Sequence, residues 1–326
     1  MFSEINGLMD YLQIRYIKLH FTLQILADGY LPSNKASALR GGMGRALMLT
    51  NCIGDENCAD CGFREDCLVR RMMYPEMKIR PDFMKTQDSE GFIVECENHD
   101  EWFRQGDELS FNLLLFGRCI VYFTQYLQAF YNLGGMGLGK EHIPFHIVSV
   151  TNTTGDPLVR GMNVYKEQFK VATVEEYVRY RLTSSELHHI AEEPAVFRLL
   201  FHTPLSMKHG GQMQKVFSPE AVLTAVERRL FILNCFEGRK ENEDYVRIPL
   251  SDHFPSLLDQ YVFNEKVKRY SGTQHSHMYF SGIRGWCDLA GTDAAALILL
   301  LAGELIHIGK NTSFGFGRYT LIVNDE

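Results

Sequence analysis

Apolar and polar residues alternate near the start of the chain. The odd-numbered residues from Ile17 to Ile25 are apolar and the even-numbered residues between them are polar, a period of two that predicts a strand with one buried face. His20 then lies on the opposite face. A helical period follows at 39–47, strands are predicted at 92–96 and 109–115, a second helix at 120–131, and another strand at 143–147.

The second half of the chain repeats this order of elements. A strand at 197–201 precedes a helix that starts at Ser218 and Pro219, a hairpin is predicted around 278–286, and Asp293 precedes a helix and a last strand at 314–323. The repeated order strand, helix, strand, strand, helix, strand predicts an α+β protein of two tandem ferredoxin-like (RRM-like) domains. The predicted domains are residues 1–150, with a cysteine-rich insertion at about 51–90, and residues 196–326, joined by a charged helical linker at 151–195.

Composition restricts the classes of function. The chain has 326 residues, 45% of them hydrophobic, and a net charge of −7, which excludes a uniformly basic coat for nucleic acid, so any RNA site has to be a local basic patch. The apolar run Ala294 to Ala302 is far shorter than a membrane span, and Met1 to Ile14 lacks the charge pattern of a signal peptide. We therefore predict a cytoplasmic protein without a membrane partner.

Four cysteines lie within a short stretch of the predicted insertion. Cys52, Cys58, Cys61 and Cys67 have the spacing C-x5-C-x2-C-x5-C, and four thiolates can hold a tetrahedral zinc. An iron–sulfur cluster and an insertion without metal are the alternatives. Four thiolates would close the coordination sphere, so any metal here would be structural.

A glycine-rich segment, Gly309 to Arg318, connects the last predicted helix to the last strand. Its glycines would let backbone N–H groups face an anion, and Lys310 and Arg318 add positive charge that suits a phosphodiester backbone. The alternative is a turn that serves only the reversal from helix to strand. A nucleotide P-loop is excluded, because the glycine spacing is one residue too long and Asn311 stands where serine or threonine is required.

Four segments together resemble the CRISPR-associated RAMP-type endoribonucleases that process precursor CRISPR RNA. They are His307 to Tyr319, Leu39 to Leu47, Leu133 to Gly139 and Phe201 to Leu205. They occur in the order expected of that family and agree with the duplicated fold. The resemblance implies that the chain binds CRISPR repeat RNA, with other CRISPR effector subunits as candidate partners.

The resemblance also implies a reaction. In that family the 2′-hydroxyl attacks the adjacent phosphate without a metal, which leaves a 2′,3′-cyclic phosphate and a 5′-hydroxyl, so no catalytic cofactor is expected. A histidine near the first helix is usual, but Gly29 to Leu49 contains none. The candidates are therefore Lys35, to stabilise the phosphorane and orient the 2′-hydroxyl, with His20 reaching in from the open face of the strand, and Tyr30; which residue is the base and which the acid stays open. A second candidate pair is His275 and His277; for all these histidines an ordinary surface role is the alternative.

The predicted RNA-binding residues form a basic track that includes the glycine-rich segment. They are Arg40, Arg45, Lys266, Lys268, Arg269, Arg284, Gly309, Lys310, Asn311, Thr312, Ser313, Gly315, Gly317 and Arg318. His307 is either a further phosphate contact or a residue placed at a helix C-terminus by the dipole. Two other functions stay open: a catalytically inactive RNA-binding subunit of a CRISPR effector complex, and a metal sensor that uses the cysteines.

Overall fold

The computed structural model describes residues 8–323 apart from 55, 57, 59, 76, 78–80, 82, 85–90, 162, 184–195, 240–253, 272–275 and 292. Within these residues the chain is a mixed α/β protein with antiparallel sheets. None of the helices in the described part is both long and apolar enough to cross a bilayer.

The strands are numbered in chain order. Those of the first half are β1 Arg15–Ile25, β2 Gly29–Tyr30, β3 Phe92–Glu95, β4 Trp102–Phe103, β5 Glu108–Phe116, β6 Phe145–Thr151, β7 Pro157–Arg160, β8 Asn163–Val164 and β9 Ala172–Thr173. Those of the second half are β10 Phe197–Leu205, β11 Lys208–His209, β12 Gln212–Met213, β13 Ser256–Ser271, β14 Ser276–Ala290 and β15 Tyr319–Val323.

Three of the helices begin where a short polar side chain accepts a hydrogen bond from a free backbone N–H group. The helices are numbered α1 Lys35–Asn51, α2 Leu68–Met73, α3 Phe123–Met136, α4 Val174–Thr183, α5 Pro219–Glu237 and α6 Ala294–Ile306. Asn34, Ser218 and Asp293 cap α1, α5 and α6, each by accepting a hydrogen bond from a backbone N–H three residues ahead. Gly238 ends α5 in the left-handed conformation. The helix starts predicted at Ser218 and Asp293 are confirmed.

The two large sheets have the same strand path. The first sheet runs β3-β5-β1-β6 and continues to β7 and β8, while β9 pairs with the start of β1; the second runs β13-β14-β10-β15. In each half the first strand therefore lies between the third and the fourth strand of the repeated order. All pairings are antiparallel.

Two hydrophobic cores meet at the first sheet. The odd-numbered residues of β1 from Ile17 onward pack with α1 and α3 in one core. From the other face of the sheet, Tyr16, Ile93, Leu114 and Phe116 pack into the second core, together with α5 and α6. The second half thus covers one end of the sheet's second face, where these residues lie, whereas His20 on the same strand is exposed.

The segment at 151–195, predicted as a helical linker, contributes both strands and a helix. β7, β8 and β9 join the first sheet, and α4 packs Val174 and Val178 into the second core. Arg181 of α4 forms an ion pair of 3.1 Å with Glu304 of α6. In the predicted cysteine-rich insertion, α2 buries Val69 and other side chains against the first core.

Candidate functional site

A row of polar residues crosses the first sheet on the face away from α1 and α3. Glu95 of β3 is opposite Asn112 of β5, Asn112 is opposite His20 of β1, and His20 is opposite Thr151 of β6. Residues in register across adjacent strands hold their side chains about 5 Å apart on one face. The register therefore brings together four residues that are far apart in the sequence.

Hydrogen bonds connect three members of this row. Asn112 Nδ2 donates to Glu95 Oε2 at 3.0 Å, and His20 Nδ1 lies 2.9 Å from Asn112 Oδ1. His20 is exposed, Asn112 is half-buried and Glu95 is buried. The row thus runs from the surface of the molecule into the interface between the two halves.

Glu95 receives charged partners from both halves. Lys18 Nζ of β1 lies 2.9 Å from Oε2, His307 Nε2 lies 2.9 Å from Oε1, and Arg318 Nε lies 3.9 Å from Oε1. Burial on its own would raise the pKa of Glu95, but Lys18, His307 and Arg318 hold that pKa well below its ordinary value. The carboxylate is therefore ionised and joins β1 and β3 to the glycine-rich segment.

His307 ends α6 and is fully buried. Its backbone has a φ of 55°, and its Nδ1 lies 3.2 Å from the carbonyl oxygen of Phe316. Burial is the largest influence on the imidazole and lowers the pKa of His307, against the pull of Glu95. Of its two predicted roles, the structure places His307 at the helix C-terminus, facing Glu95 of the first half.

The glycine-rich segment is held mainly by protein contacts. The backbone N–H groups of Lys310, Phe314, Gly315, Gly317 and Arg318 donate to Ser206 O, Asn311 O, Thr312 O, Pro204 O and Thr203 Oγ1. The glycine pattern predicted that backbone N–H groups of this segment face an anion. These five groups instead donate to oxygen atoms of the protein. Thr312 and Ser313 are buried, whereas Gly309 and Lys310 are exposed and Asn311 is half-buried.

Two of the glycines are required by close backbone approach. A Cβ at Gly315 would lie 2.6 Å from the carbonyl oxygen of Val94 in the first half, and one at Gly317 would lie 1.8 Å from that of Ile308. Both glycines have positive φ. Thr203 also donates to Gly315 O at 2.8 Å, so the segment that opens the second half anchors the glycine-rich segment that closes it.

Lys35 is buried at the start of α1. Its ammonium group donates to the carbonyl oxygens of Pro32, Asn98 and Asp100, which matches all three donors of a lysine. Burial lowers the pKa of Lys35. Because α1 packs on the face of the first sheet opposite to His20, the structure does not bring Lys35 and His20 together.

Tyr30 and His277 lie on strands other than those of the polar row. Tyr30 is 58% exposed and its ring packs edge-on against Trp102 at 4.7 Å. His277 is in β14 opposite Tyr270, and His275 lies outside the described residues. The assignment of catalytic roles to these residues stays a prediction.

The predicted basic track divides into buried and exposed members. Arg40 is buried, with its guanidinium 4.5 Å from the ring centroid of Phe314, and Arg45 pairs with Glu56. Arg318 pairs with Glu97 as well as Glu95. Arg284 of β14 is half-buried and lies 3.1 Å from Glu265.

On the long hairpin, Lys266 and Lys268 are exposed on the edge strand β13, and Arg269 is the next residue of that strand. Lys266, Lys268 and Lys310 are the exposed lysines of the track and are the best placed of its described members to meet a phosphate.

Sequence reasoning missed several of the polar residues at this interface. Glu95, Asn112 and Lys18 were assigned no site role, and His202, in the resembling segment Phe201 to Leu205, was not singled out. His202 Nε2 lies 2.8 Å from Thr320 Oγ1, and burial together with Arg318 lowers the pKa of His202. A polar residue inside an apolar strand, such as Asn112 between Phe111 and Leu113, is the signal that could have found them.

The four clustered cysteines are free thiols in the structure. Burial, and after it the neighbouring Cys67, Cys52 and Cys61, raises the pKa of Cys58. Among the residues that the structure describes, no group of three or more histidine, cysteine, aspartate or glutamate side chains has the geometry to hold a metal ion. The predicted structural zinc is therefore not supported.

Family comparisons agree with the arrangement of the two halves. A family model described as an N-terminal domain matches residues 12–176, half of the chain. The model of the CRISPR-associated endoribonuclease Cas6 matches residues 199–319, which include the glycine-rich segment. No curated protein sequence matches the chain.

Solved structures share the fold. A partial complex of Cas6, RT, Cas1 and Cas2 matches with a TM-score of 0.57 and 12% identity, over 95% of this chain and 46% of that one. A second Cas6-RT-Cas1–Cas2 complex gives the same score and identity and is covered to 29%. Cas6 of Thermus thermophilus matches with a TM-score of 0.49 and 11% identity, over 95% of this chain and 99% of that one.

The chain spans less than half of the length of the first two solved chains. At these identities the likeness concerns the fold, and the family assignment comes from the matched models. The predicted membership of the RAMP-type repeat-processing proteins is confirmed: the chain belongs to the CRISPR-associated Cas6-type endoribonuclease family.

Proposed function

We propose that this protein binds CRISPR repeat RNA and cuts it to produce guide RNA, without a metal in the reaction. Membership of the Cas6-type family supplies the substrate class. The structural observation that carries the proposal is the exposed imidazole of His20 at the edge of the interface between the two halves, held by Asn112. An oriented imidazole beside clustered cations is the equipment that RNA cleavage by its own 2′-hydroxyl requires.

In the proposed reaction His20 is the general base. Its Nε2 takes the proton of the 2′-hydroxyl as the 2′ oxygen forms a bond to the adjacent phosphorus. The bond from phosphorus to the 5′ oxygen breaks, and that oxygen takes a proton from water; the hydroxide left behind takes the proton from His20 and restores the neutral imidazole. The products are a 2′,3′-cyclic phosphate and a 5′-hydroxyl, so that atoms and charge balance without an oxidant or a metal.

The RNA backbone is proposed to lie along cations of the second half. Lys310 is exposed next to the interface, Arg284 is half-buried on β14, and Lys266 and Lys268 are exposed on β13. Such a local strip attracts phosphates although the whole chain carries a net charge of −7. The predicted contacts of Arg40 and Arg318 are less well supported, because both guanidinium groups already face protein partners.

We propose that each half is a ferredoxin-like domain. The supporting observation is the shared strand path, β3-β5-β1-β6 and β13-β14-β10-β15, with two helices packed on one face of each sheet. We place the domains at about residues 1–150 and 196–326. The segment between them belongs partly to each, since its strands join the first sheet and α4 packs on the second core. Other CRISPR effector subunits remain proposed partners.

One observation favours the alternative, a catalytically inactive RNA-binding subunit. The three donors of Lys35 are all satisfied by backbone carbonyl oxygens, so this lysine is poorly placed to stabilise a phosphorane. Such a subunit would keep the cationic strip and the fold but would not depend on His20.

Incubation of purified protein with a labelled repeat RNA in EDTA tests the proposal. We expect fragments that end in a 2′,3′-cyclic phosphate, and no fragments from a copy with a 2′-deoxy nucleotide at the mapped site. His20→Ala should abolish cutting while RNA still binds, and Tyr180→Ala, at an exposed position on α4, serves as the control. Tight binding without fragments would establish the inactive subunit instead.

A further inference from the structure

We propose that Asn112 and Glu95 are positioning residues that keep the proton of His20 on Nδ1 and so leave the lone pair of Nε2 available for the 2′-hydroxyl. This inference rests on the proposed function and extends it, because it assigns a role to two residues of the first sheet that do not touch the RNA. It follows from three steps along the polar row.

The first step is the orientation of the Asn112 amide. An ionised carboxylate only accepts hydrogen bonds, and the pKa of Glu95 is held well below its ordinary value by Lys18, His307 and Arg318. The atom of Asn112 that lies 3.0 Å from Glu95 Oε2 must therefore be the Nδ2 donor. If the Asn112 amide were rotated by half a turn, its Oδ1 would face Glu95 Oε2, and two acceptors would meet without a hydrogen.

The second step is the protonation of His20. With Nδ2 directed to Glu95, the Oδ1 of Asn112 faces His20 Nδ1 at 2.9 Å. Because this oxygen is an acceptor, Nδ1 must carry the proton, and in a neutral imidazole the other nitrogen is then the acceptor. A base whose tautomer is set by a hydrogen-bonded third group is the recurring arrangement of activated catalytic sites.

The third step connects the row to the second half. The titratable and charged groups that face Glu95 are Lys18 from β1, His307 from the end of α6 and Arg318 from the glycine-rich segment. Glu95 is 4% exposed, so His307 and Arg318 reach it only when the glycine-rich segment is docked on the first sheet, whereas Lys18 lies on that sheet itself. Docking of the two halves thus holds the carboxylate that orients Asn112, and Asn112 in turn orients His20.

The positioning role is separated from a merely structural one by the tautomer itself. Nitrogen NMR of protein with ¹⁵N-labelled histidine distinguishes a protonated from an unprotonated ring nitrogen, and His20→Gln identifies the His20 signals. We expect the proton of neutral His20 on Nδ1 in the wild type and a move toward Nε2 in Asn112→Ala. A proton on Nε2 in the wild type, or an unchanged tautomer in the variant, overturns the proposal.

Cleavage under single-turnover conditions supplies the second readout. Asn112→Ala should lower the rate about 10- to 100-fold, a part of what a general base contributes, while the Kd for repeat RNA stays unchanged. The matched control is Ser110→Ala, two residues away on the same strand and face, which should leave both the rate and the tautomer unchanged. An equal loss in Ser110→Ala would show a general effect on the sheet and contradict the positioning role.

A double change tests the direction of the hydrogen bonds. In E95Q/N112D the new carboxylate at position 112 accepts a hydrogen bond from His20 Nδ1, and the new amide at position 95 donates one to that carboxylate. The hydrogen bonds of the row are then restored, with the negative charge at position 112 instead of position 95. We expect the double variant to have the Nδ1 tautomer and to cut RNA at least tenfold faster than N112A. A double variant with the Nδ1 tautomer but no recovery of rate would contradict a role of the tautomer in catalysis.

Failure of the proposed function gives a different result. If His20→Ala cuts RNA as fast as the wild type, or if the wild type itself does not cut RNA, then His20 is not the base, whatever its tautomer. The NMR readout needs no RNA, so the hydrogen-bonded row and the cleavage assignment stand or fall separately.

Discussion

Two glycine-rich segments occupy similar positions in the two halves: the first includes the last turn of the second helix and the residues after it, and the second follows the second helix; each precedes the last strand of the repeated order. In the first half, Leu133 to Gly139 folds back on its own half: a Cβ at Gly137 would lie 2.1 Å from His142 O, and Gly139 lies against Pro32. In the second half, Gly309 to Arg318 docks across the interface, where Gly315 approaches the backbone of Val94.

The difference shows what a run of glycines signifies. Both segments need glycine because backbone approaches backbone, so the glycines by themselves indicate close packing and not an anion site. What distinguishes the second segment is its flanking charge: His307 and Arg318 meet Glu95 in the other half. The function attributed to such a segment therefore depends on its partner surface.

The largest expected effect comes from removing the charge that holds the second segment. Glu95→Gln should lower the free energy of unfolding by about 3–5 kcal/mol, because breaking a buried ion pair leaves Lys18 without its counter-charge and leaves Arg318 with Glu97 alone. Urea denaturation measures this loss. The control is Glu108→Gln, at an exposed position on β5, which should stay within 0.5 kcal/mol (about the usual range for surface changes). A Glu95 variant as stable as that control would show that the charges do not hold the segment.

The stabilisation by Glu95 should also depend on pH. Its folded-state pKa is lowered by Lys18, His307 and Arg318 against the effect of burial, so the stabilisation is full above the unfolded pKa of about 4.3 and is lost as the pH falls through the folded value. The stability difference between wild type and Glu95→Gln should shrink below about pH 4. Urea titrations of both proteins from pH 7 to pH 3 check this, and a difference that grows on acidification would contradict it.

A smaller loss of stability is expected when a glycine of either segment is replaced by alanine. Gly317→Ala and Gly137→Ala each place a Cβ within about 2 Å of a carbonyl oxygen at positive φ, so we expect each to lower the free energy of unfolding by about 2–3 kcal/mol. Only Gly317→Ala should also slow RNA cleavage, because only the second segment touches Glu95 through its flanking residues. Equal loss of cleavage in both variants would remove the functional distinction between the segments.

The smallest expected effect is a gain in stability at Gly135, a glycine that packing does not require. Gly135 is exposed in α3, and apart from its chain neighbours and the backbone of the helix itself no described atom lies within 4 Å of a Cβ built there. Gly135→Ala should therefore raise the free energy of unfolding by about 0.5–1 kcal/mol through helix propensity. Thermal denaturation measures the shift; a destabilised variant would mean that the first glycine run is constrained throughout.

Much of the fold could be predicted because its signals are local. The alternation from Ile17 to Ile25 gave β1 and placed His20 on the face away from the helices, and Ser218 and Asp293 marked two helix starts. The short strands β7 to β9 were missed, since a strand of two to four residues carries too little periodicity to be seen.

The candidate site was only partly predictable. His20 could be named as a catalytic candidate from its type and strand face, but its partners could not, and Lys35 was chosen because it is a cation close to the first helix. The structure instead uses the Lys35 ammonium group to bind three carbonyl oxygens. A sequence shows which side chains can ionise, but their hydrogen-bond partners depend on the packing.

By itself, the sequence determined the family, the repeated order of elements and the exposed face on which His20 lies, because glycine motifs, caps and periodicity are properties of neighbouring residues. The tertiary structure alone decided that Glu95, Asn112 and His20 form one row, since this requires the register of three strands. It also decided that the glycine-rich segment docks on that row, because the ion pairs come from residues of both halves, which meet only when the two cores pack together.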